Sequence, residues 1–181
     1  MTQLATTRLS RHALGAIVAI SVLGSVVFAS APARGDTVSG ETAFAERINQ
    51  ERIAAGLPIL AVQAKLVDTA REWSLHLSIA SGPNRGPACR LSHNPRLDKD
   101  VPFNWRALGE NVGCSATDVD AIHRAFMDSP GHRKNILDPK FDSVGVAIVM
   151  ADTTMFVTEI FMQTSPNPTP KKNSGKKVKI R

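Results

Sequence analysis

The chain has 181 residues, 43% of them hydrophobic and 21% charged, a balance that excludes collagen-like, wholly disordered and multi-spanning membrane classes. Its length fits one hydrophobic core. The formal net charge of +6 raises nucleic acid as a partner, but between Thr37 and Thr164 thirteen Lys and Arg face fifteen Asp and Glu. Tyr is absent and no basic stripe is interleaved with aromatic residues, so no nucleic-acid partner is expected.

The positive surplus sits at the ends. At the front, Arg8, Arg11 and His12 precede an uncharged apolar run from Ala13 to Phe28, shorter than the roughly 20 residues a spanning helix needs. Ala31-Pro32-Ala33 and Ala33-Arg34-Gly35 offer small-x-small cleavage sites, so residues 1–35 read as a secretory signal and the mature chain is expected to start near Arg34 or Asp36. The expected location is secreted or cell-envelope associated. In an exported chain Cys89 and Cys114 are expected to form a disulfide, closing about 25 residues and contributing roughly 3.5 kcal/mol by the loop-closure argument.

Residues 41–164 read as the folded domain. Glu41 to Ala55 places Phe44, Ile48 and Glu51 or Arg52 at helical spacing and stops at Gly56-Leu57-Pro58. Gln63 to about Ser78 repeats the pattern with Leu66, Ala70, Trp73 and Leu77 and ends before Gly82-Pro83. Asn84 to Val112 carries Pro87, Pro95 and Pro102 without a clean period and reads as a long irregular segment pinned by the disulfide. Ser115 or Thr117 is the expected cap of a third helix running to Met127, with Asp118 or Asp120 in its first turn. Ser129 then caps a short helix from Pro130 to Leu137. Val144 to Met150 and Met155 to Met162 form the expected hairpin. Residues 165–181, with Pro166, Pro168, Pro170 and six cations, read as a disordered basic tail suited to an anionic envelope surface.

Three strings concentrate the chemistry: Leu91-Ser92-His93-Asn94, Gly109-Glu110-Asn111-Val112, and Ser129-Pro130-Gly131-His132-Arg133-Lys134-Asn135-Ile136-Leu137. With Asn49 and Arg52 in the first helix, Trp73 in the second, and the runs Val144-Gly145-Val146 and Phe156 to Phe161, they resemble the CAP superfamily over about Glu41 to Gln163. This is the superfamily of cysteine-rich secretory proteins, antigen 5 and pathogenesis-related 1, and the likeness is greatest to its bacterial secreted branch. The resemblance implies an α+β fold, a three-layer α-β-α sandwich with a central antiparallel sheet. It also implies a cleft of two histidines and two acids that holds a divalent metal in some relatives. His93, Glu110 and His132 match three of those positions. The fourth acid is replaced by Ser129, three residues after Phe126. Glu159, in the last strand where relatives often carry an amide, is the acid available to compensate, and Asn111 and Arg133 are further cleft candidates.

Two imidazoles and a carboxylate suit a zinc ion with an open position, a general acid–base pair, or a hydrogen-bonded strut. No organic cofactor is implied. Ser92, Ser115 and Ser129 are available hydroxyls, but none sits in a nucleophile-elbow string, and no His-Glu-x-x-His motif exists. His76 and His123 fall within expected helices and read as surface or boundary residues. Arg133 and Lys134 read as a solvated face, with Arg133 also able to hold an anionic group. The expected function is an extracellular binding module for an unidentified lipid, polymer or protein. The alternatives are a metal-dependent extracellular hydrolase and an envelope-associated protein located by its tail.

Overall fold

The computed structural model describes residues 34–82, 89–115 and 118–166, so most of the expected signal and all but the first two residues of the expected tail lie outside the described residues. Helix α1 (Arg34–Ala54) begins seven residues before the expected start at Glu41 and overlaps the last two residues assigned to the signal. Once Phe44 and Ile48 are anchored in the core, no proline stops the helix from continuing toward its N-terminus. It ends at Gly56, whose φ of 72° supplies the left-handed turn.

Four strands form one sheet in the order β1-β3-β4-β2. Strands β3 (Ser143–Ala151) and β4 (Thr154–Thr164) are the expected hairpin, closed by Asp152 and Thr153 with Asp152 at φ 53°. Strand β2 (Trp105–Ser115) pairs antiparallel with β4. The short β1 (Ala61–Val62), not anticipated, pairs parallel with β3, so the sheet is antiparallel with one parallel edge. Where β3 runs past β1, the buried Glu41 carboxylate accepts the Ile148 N–H at 3.0 Å and is itself held by Arg71. That contact covers an otherwise open sheet edge.

Helices cover both faces, giving the three layers. On one face α2 (Ala64–Ser81) packs Leu66 and Ala70 against Ala147, Ile160 and Met162, and Leu77 against Val112 and Phe156. On the other, Phe44 and Ile48 of α1, Ile122 and Phe126 of α4 (Val119–Asp128), and Ile136 of α5 (Pro130–Ile136) meet Val144, Val146, Ile148, Val157 and Phe161. Each such side chain contributes about 1.5–3 kcal/mol by leaving water.

Residues 84–88 of the expected irregular segment lie outside the described residues, and the remainder up to Val112 is not irregular throughout, as its composition suggests. It holds the short helix α3 (Leu97–Asp100) and most of β2. The strand is hidden in the sequence because its period-2 pattern is carried by unusual residues. Leu108, Glu110, Val112 and Cys114 alternate with Gly109, Asn111 and Gly113. The two glycines leave room for aromatic rings: a Cβ at Gly113 would lie 2.7 Å from Phe126 of α4, and one at Gly109 2.9 Å from Phe141 in the connection between α5 and β3. The core volume of this face therefore comes from its partners, and a hydrophobicity pattern cannot register it.

One further correction concerns a cap, where Thr117, one of the two expected, lies outside the described residues. The residue that caps α4 is Asp118, whose carboxylate accepts the Ala121 N–H at 2.7 Å, while Ser115 belongs to β2. The expected disulfide between Cys89 and Cys114 is present and packs beside Trp73, Leu77 and Phe156, joining the start of the loop to the end of β2.

Candidate functional site

Among the described residues strand β2 pairs with β4 alone, and its side chains alternate between the two helix layers. Glu110 shares a face with Leu108 and Val112, which pack on the α2 side, whereas Gly109 and Gly113, on the face of Asn111, lie under α4 and α5. The site forms where residues from both layers approach this strand.

The loop bearing His93 is fixed on both sides. Before it, Trp73 Nε1 donates to the Ser92 carbonyl at 2.9 Å, and the disulfide holds Cys89. After it, the buried Asn94 accepts the Arg96 N–H through Oδ1 at 2.8 Å and donates from Nδ2 to Asp100 Oδ2 at 3.1 Å, an Asx turn leading into α3. His93 meets Glu110 directly, with Nδ1 2.7 Å from Oε2; the same oxygen accepts the Asn94 N–H at 3.0 Å. With its proton on Nδ1, the imidazole donates to the carboxylate and turns Nε2 outward. The two partners differ sharply in setting: the His93 side chain is 68% exposed and that of Glu110 only 4%. Burial raises the Glu110 pKa above the ordinary carboxylate value, opposed by the Asn94 N–H and His93. The second oxygen, Oε1, is buried without a hydrogen-bond partner among the described residues.

His132 is contributed by α5. Ser129 ends α4, its N–H bonding the Ala125 and Phe126 carbonyls, and begins α5 ahead of Pro130. Its hydroxyl makes no capping bond, contrary to expectation, because the backbone of this one residue closes one helix and opens the next. The half-buried His132 ring lies 4.7 Å from Phe126. Burial, and secondarily the charge of His93, lower its pKa, so at neutral pH it is an uncharged imidazole.

Beneath these residues runs a buried polar chain. Asn111 Nδ2 donates to the His132 carbonyl at 3.1 Å and to Glu159 Oε2 at 2.7 Å. Asn135 Nδ2 donates to Asn111 Oδ1 at 2.8 Å and to the Glu110 carbonyl at 3.1 Å. The chain thus ties the backbones of Glu110 and His132 together. Glu159, fully buried in the middle of β4, lies behind the site and touches it only through Asn111.

The remaining sequence candidates are distributed elsewhere. Arg133 is exposed and, with Pro130, Lys134 and Leu137, borders an open hollow of about 480 Å³. His76 is exposed and stacks on Trp73 at 4.5 Å. His123, expected at a surface or boundary, is 5% exposed: it lies edge-on to Phe44, with Nε2 3.8 Å from Glu51, because α1 covers that side of α4. A better enclosed apolar cavity of about 330 Å³ lies between α1, β1 and α2, lined by Ala45, Val62, Val67 and Val146, and contains none of the site histidines. The roles of Asn94, Asn135 and Phe126 were missed in the sequence; the one signal for them was the place of the two asparagines within the quoted strings.

Among the described residues no group of three or more His, Cys, Asp and Glu is arranged to hold a metal ion. The bond from His93 Nδ1 to Glu110 Oε2 leaves Nε2 open and does not itself oppose a metal, but Ser129 brings a hydroxyl where a fourth acid would stand. The donor set in this arrangement fits a hydrogen-bonding site rather than a metal cage.

The family model of the cysteine-rich secretory proteins matches residues 45–164. Among individual relatives, the uncharacterized protein YkwD of Bacillus subtilis is 29% identical over 114 residues, covering 60% of this chain and 42% of its own. An extracellular protein containing an SCP domain from Bacillus anthracis has a TM-score of 0.60 at 25% identity, over 75% of this chain and 45% of that one. An outer surface protein from Borrelia burgdorferi has a TM-score of 0.57 at 16% identity, over 70% and 94%, a likeness of fold. The chain spans less than half the length of the two Bacillus relatives.

Proposed function

Because the chain belongs to the cysteine-rich secretory protein family, we propose that it acts as an extracellular binding module whose recognition site is the His93–Glu110 pair with His132. The observation that carries this reading is the 2.7 Å contact between His93 Nδ1 and Glu110 Oε2. It fixes an exposed imidazole with Nε2 outward, near a second, uncharged imidazole whose backbone is held by the buried Asn111 and the half-buried Asn135. Polar atoms set on rigid, buried supports suit recognition of a ligand's hydroxyl, amide or carboxyl groups. The extracellular setting is supported by the apolar run from Ala13 to Phe28, by a disulfide suited to an oxidising compartment, and by the extracellular relative from Bacillus anthracis. The basic residues after Ser165 add electrostatic adhesion to an anionic envelope surface.

A second reading, an extracellular hydrolase, draws on the same pair, since a histidine oriented by a buried carboxylate is the arrangement of a general base. Imidazole NMR of the full chain, recorded in turn with zinc chloride, soluble peptidoglycan fragments and phosphatidylglycerol vesicles, separates the readings. The binding module predicts shifts at His93 and His132 with the fragments or the vesicles and no turnover. Cleavage of a peptide, ester or glycan panel that Glu110→Gln abolishes would establish the hydrolase. Unchanged imidazole signals with every probe would remove the site as a binding surface. Deleting Ser165 to Arg181 is expected to remove the salt-sensitive part of any vesicle binding, measured by co-sedimentation at low and high salt.

A further inference from the structure

A carboxyl group in the middle of a sheet strand, covered on every side, needs an explanation that the recognition site alone does not supply. Glu159 is fully buried, and it lies between Asn111 of β2 and Val146 of β3 in the sheet register. Among the described residues its one polar contact is the 2.7 Å bond that Oε2 accepts from Asn111 Nδ2, and Oε1 has no partner. The helices covering this face carry charged or titratable groups, but among the described residues none of them makes a hydrogen bond to Glu159. Arg52 of α1 donates to the carbonyls of Pro58, Ile136, Asp138 and Phe141. His123 of α4 faces Phe44 and Glu51, Arg47 is paired with Asp120, and His132 of α5 faces Phe126.

An ionised carboxylate in such a place would be a buried charge with a single neutral donor, one of the most costly arrangements a core can hold. A protonated carboxyl is tolerated there and still accepts from an amide. The orientation of Asn111 is fixed independently of Glu159, because the His132 carbonyl can only accept, so Nδ2 must face both. The same amide then receives Asn135 on Oδ1, and Asn135 holds the Glu110 carbonyl.

We propose that Glu159, carrying its proton, is a positioning residue of the recognition site: through Asn111 it clamps α5 to β2 and so sets His132 relative to Glu110, and loss of that proton opens the clamp. Ionisation would draw water toward the carboxylate, and the space for it arises by lifting α5 from β2, which breaks the bond between Asn111 and the His132 carbonyl. In agreement with this geometry, burial pushes the Glu159 pKa up to about 8, with the Asn111 bond pulling modestly the other way. The site would then lose its arrangement under mildly alkaline conditions. The proposal builds on the recognition site described above, but its test reads the position of His132 and needs no ligand.

The test is an NMR titration of the full chain between pH 5.5 and about 9.5, following the His132 imidazole and the Asn111 and Asn135 side-chain amides, for the wild type and Glu159→Gln. Glutamine keeps the acceptor oxygen for Asn111 and cannot ionise. The expected result is a coordinated alkaline transition of His132, Asn111 and Asn135 signals in the wild type, lost in Glu159→Gln. The His132 signals of the two proteins should coincide at pH 6. A wild type without that transition, or a variant that keeps it, would overturn the proposal, as would displaced His132 signals in the variant at pH 6. Glu159→Leu, which has no acceptor, should displace His132 at every pH; if it fails to fold, the wild-type titration and the glutamine variant still decide. A site that binds none of the probes would leave these transitions unchanged, so the two readings fail separately.

Discussion

Asn111 is the residue on which the site converges, since one side chain serves the His132 carbonyl, Glu159 and Asn135. Replacing it with Ala leaves three buried polar groups short of a partner, and each such group costs about 1–3 kcal/mol. Asn111→Ala is therefore expected to lower stability by about 3 kcal/mol or more, measured by urea unfolding at pH 6. His93→Ala, whose side chain is mostly exposed, should cost far less. At this scale the sequence was partly legible. His93, Glu110 and His132 stand in strings whose residues and order are distinctive, and the structure brings His93 and Glu110 into direct contact. What Asn111 and Asn135 do was not legible, because their partners are set by which face of β2 each side chain occupies and by where α5 crosses it. His123 was read wrongly for a related reason: helical periodicity gives the face of a helix, and the burial of that face depends on a neighbour 70 or more residues away in the chain.

The elements follow the sequence where hydrophobic side chains mark the period. Helix α2 and the β3–β4 hairpin emerge close to their expected bounds, since Leu66, Ala70 and Leu77 in one, and the apolar runs in the other, are themselves the core. Strand β2 does not, because its positions facing α4 and α5 are glycines and an asparagine and its other face carries Glu110 between Leu108 and Val112, so half of its pattern is written in what is missing. Close approach also governs the other face. A Cβ at Gly145 would lie 2.3 to 2.4 Å from the backbone and Cβ of Leu66 in α2, and no rotamer change relieves a clash with backbone. Gly145→Ala is expected to cost about 2 kcal/mol or more by forcing α2 away from β3, seen as a lowered urea midpoint. Removing the disulfide with Cys89→Ser and Cys114→Ser is expected to cost about 3.5 kcal/mol, the entropy of closing its loop. The same change should loosen the loop that presents His93, visible as faster amide exchange at Ser92 and His93 than at the core of β4.

Across the whole molecule, buried titratable groups oppose one another along the pH axis. Glu110 and Glu159 have folded pKa values above their unfolded ones, so the stability tied to their protonated forms is complete below about pH 4.5 and declines as pH rises, for Glu159 until about pH 8. His123 and His132 have folded pKa values below the ordinary 6.5, so their contribution is complete above that pH and declines as pH falls through their lowered values. Stability is therefore expected to fall as pH rises from about 6.5 toward 8, and a melting temperature that climbs steadily from pH 6 to pH 9 would contradict this balance. In Glu159→Gln the alkaline limb should flatten while the acid limb stays. The three-layer arrangement was legible from the sequence through the resemblance, while the parallel β1 edge was not, since two residues carry no period.

In the proposed recognition site, Glu110 orients His93, and the two with His132 offer hydrogen bonds rather than a metal cage. Calorimetric titration of zinc into the metal-stripped full chain, beside a folded His93→Ala, His132→Ala double variant, tests it most directly. No zinc binding that the double variant abolishes is expected, because the outward Nε2 of His93 belongs to no group of three or more His, Cys, Asp and Glu among the described residues. One-to-one binding in the wild type that disappears in the double variant would contradict it and make the site a metal centre.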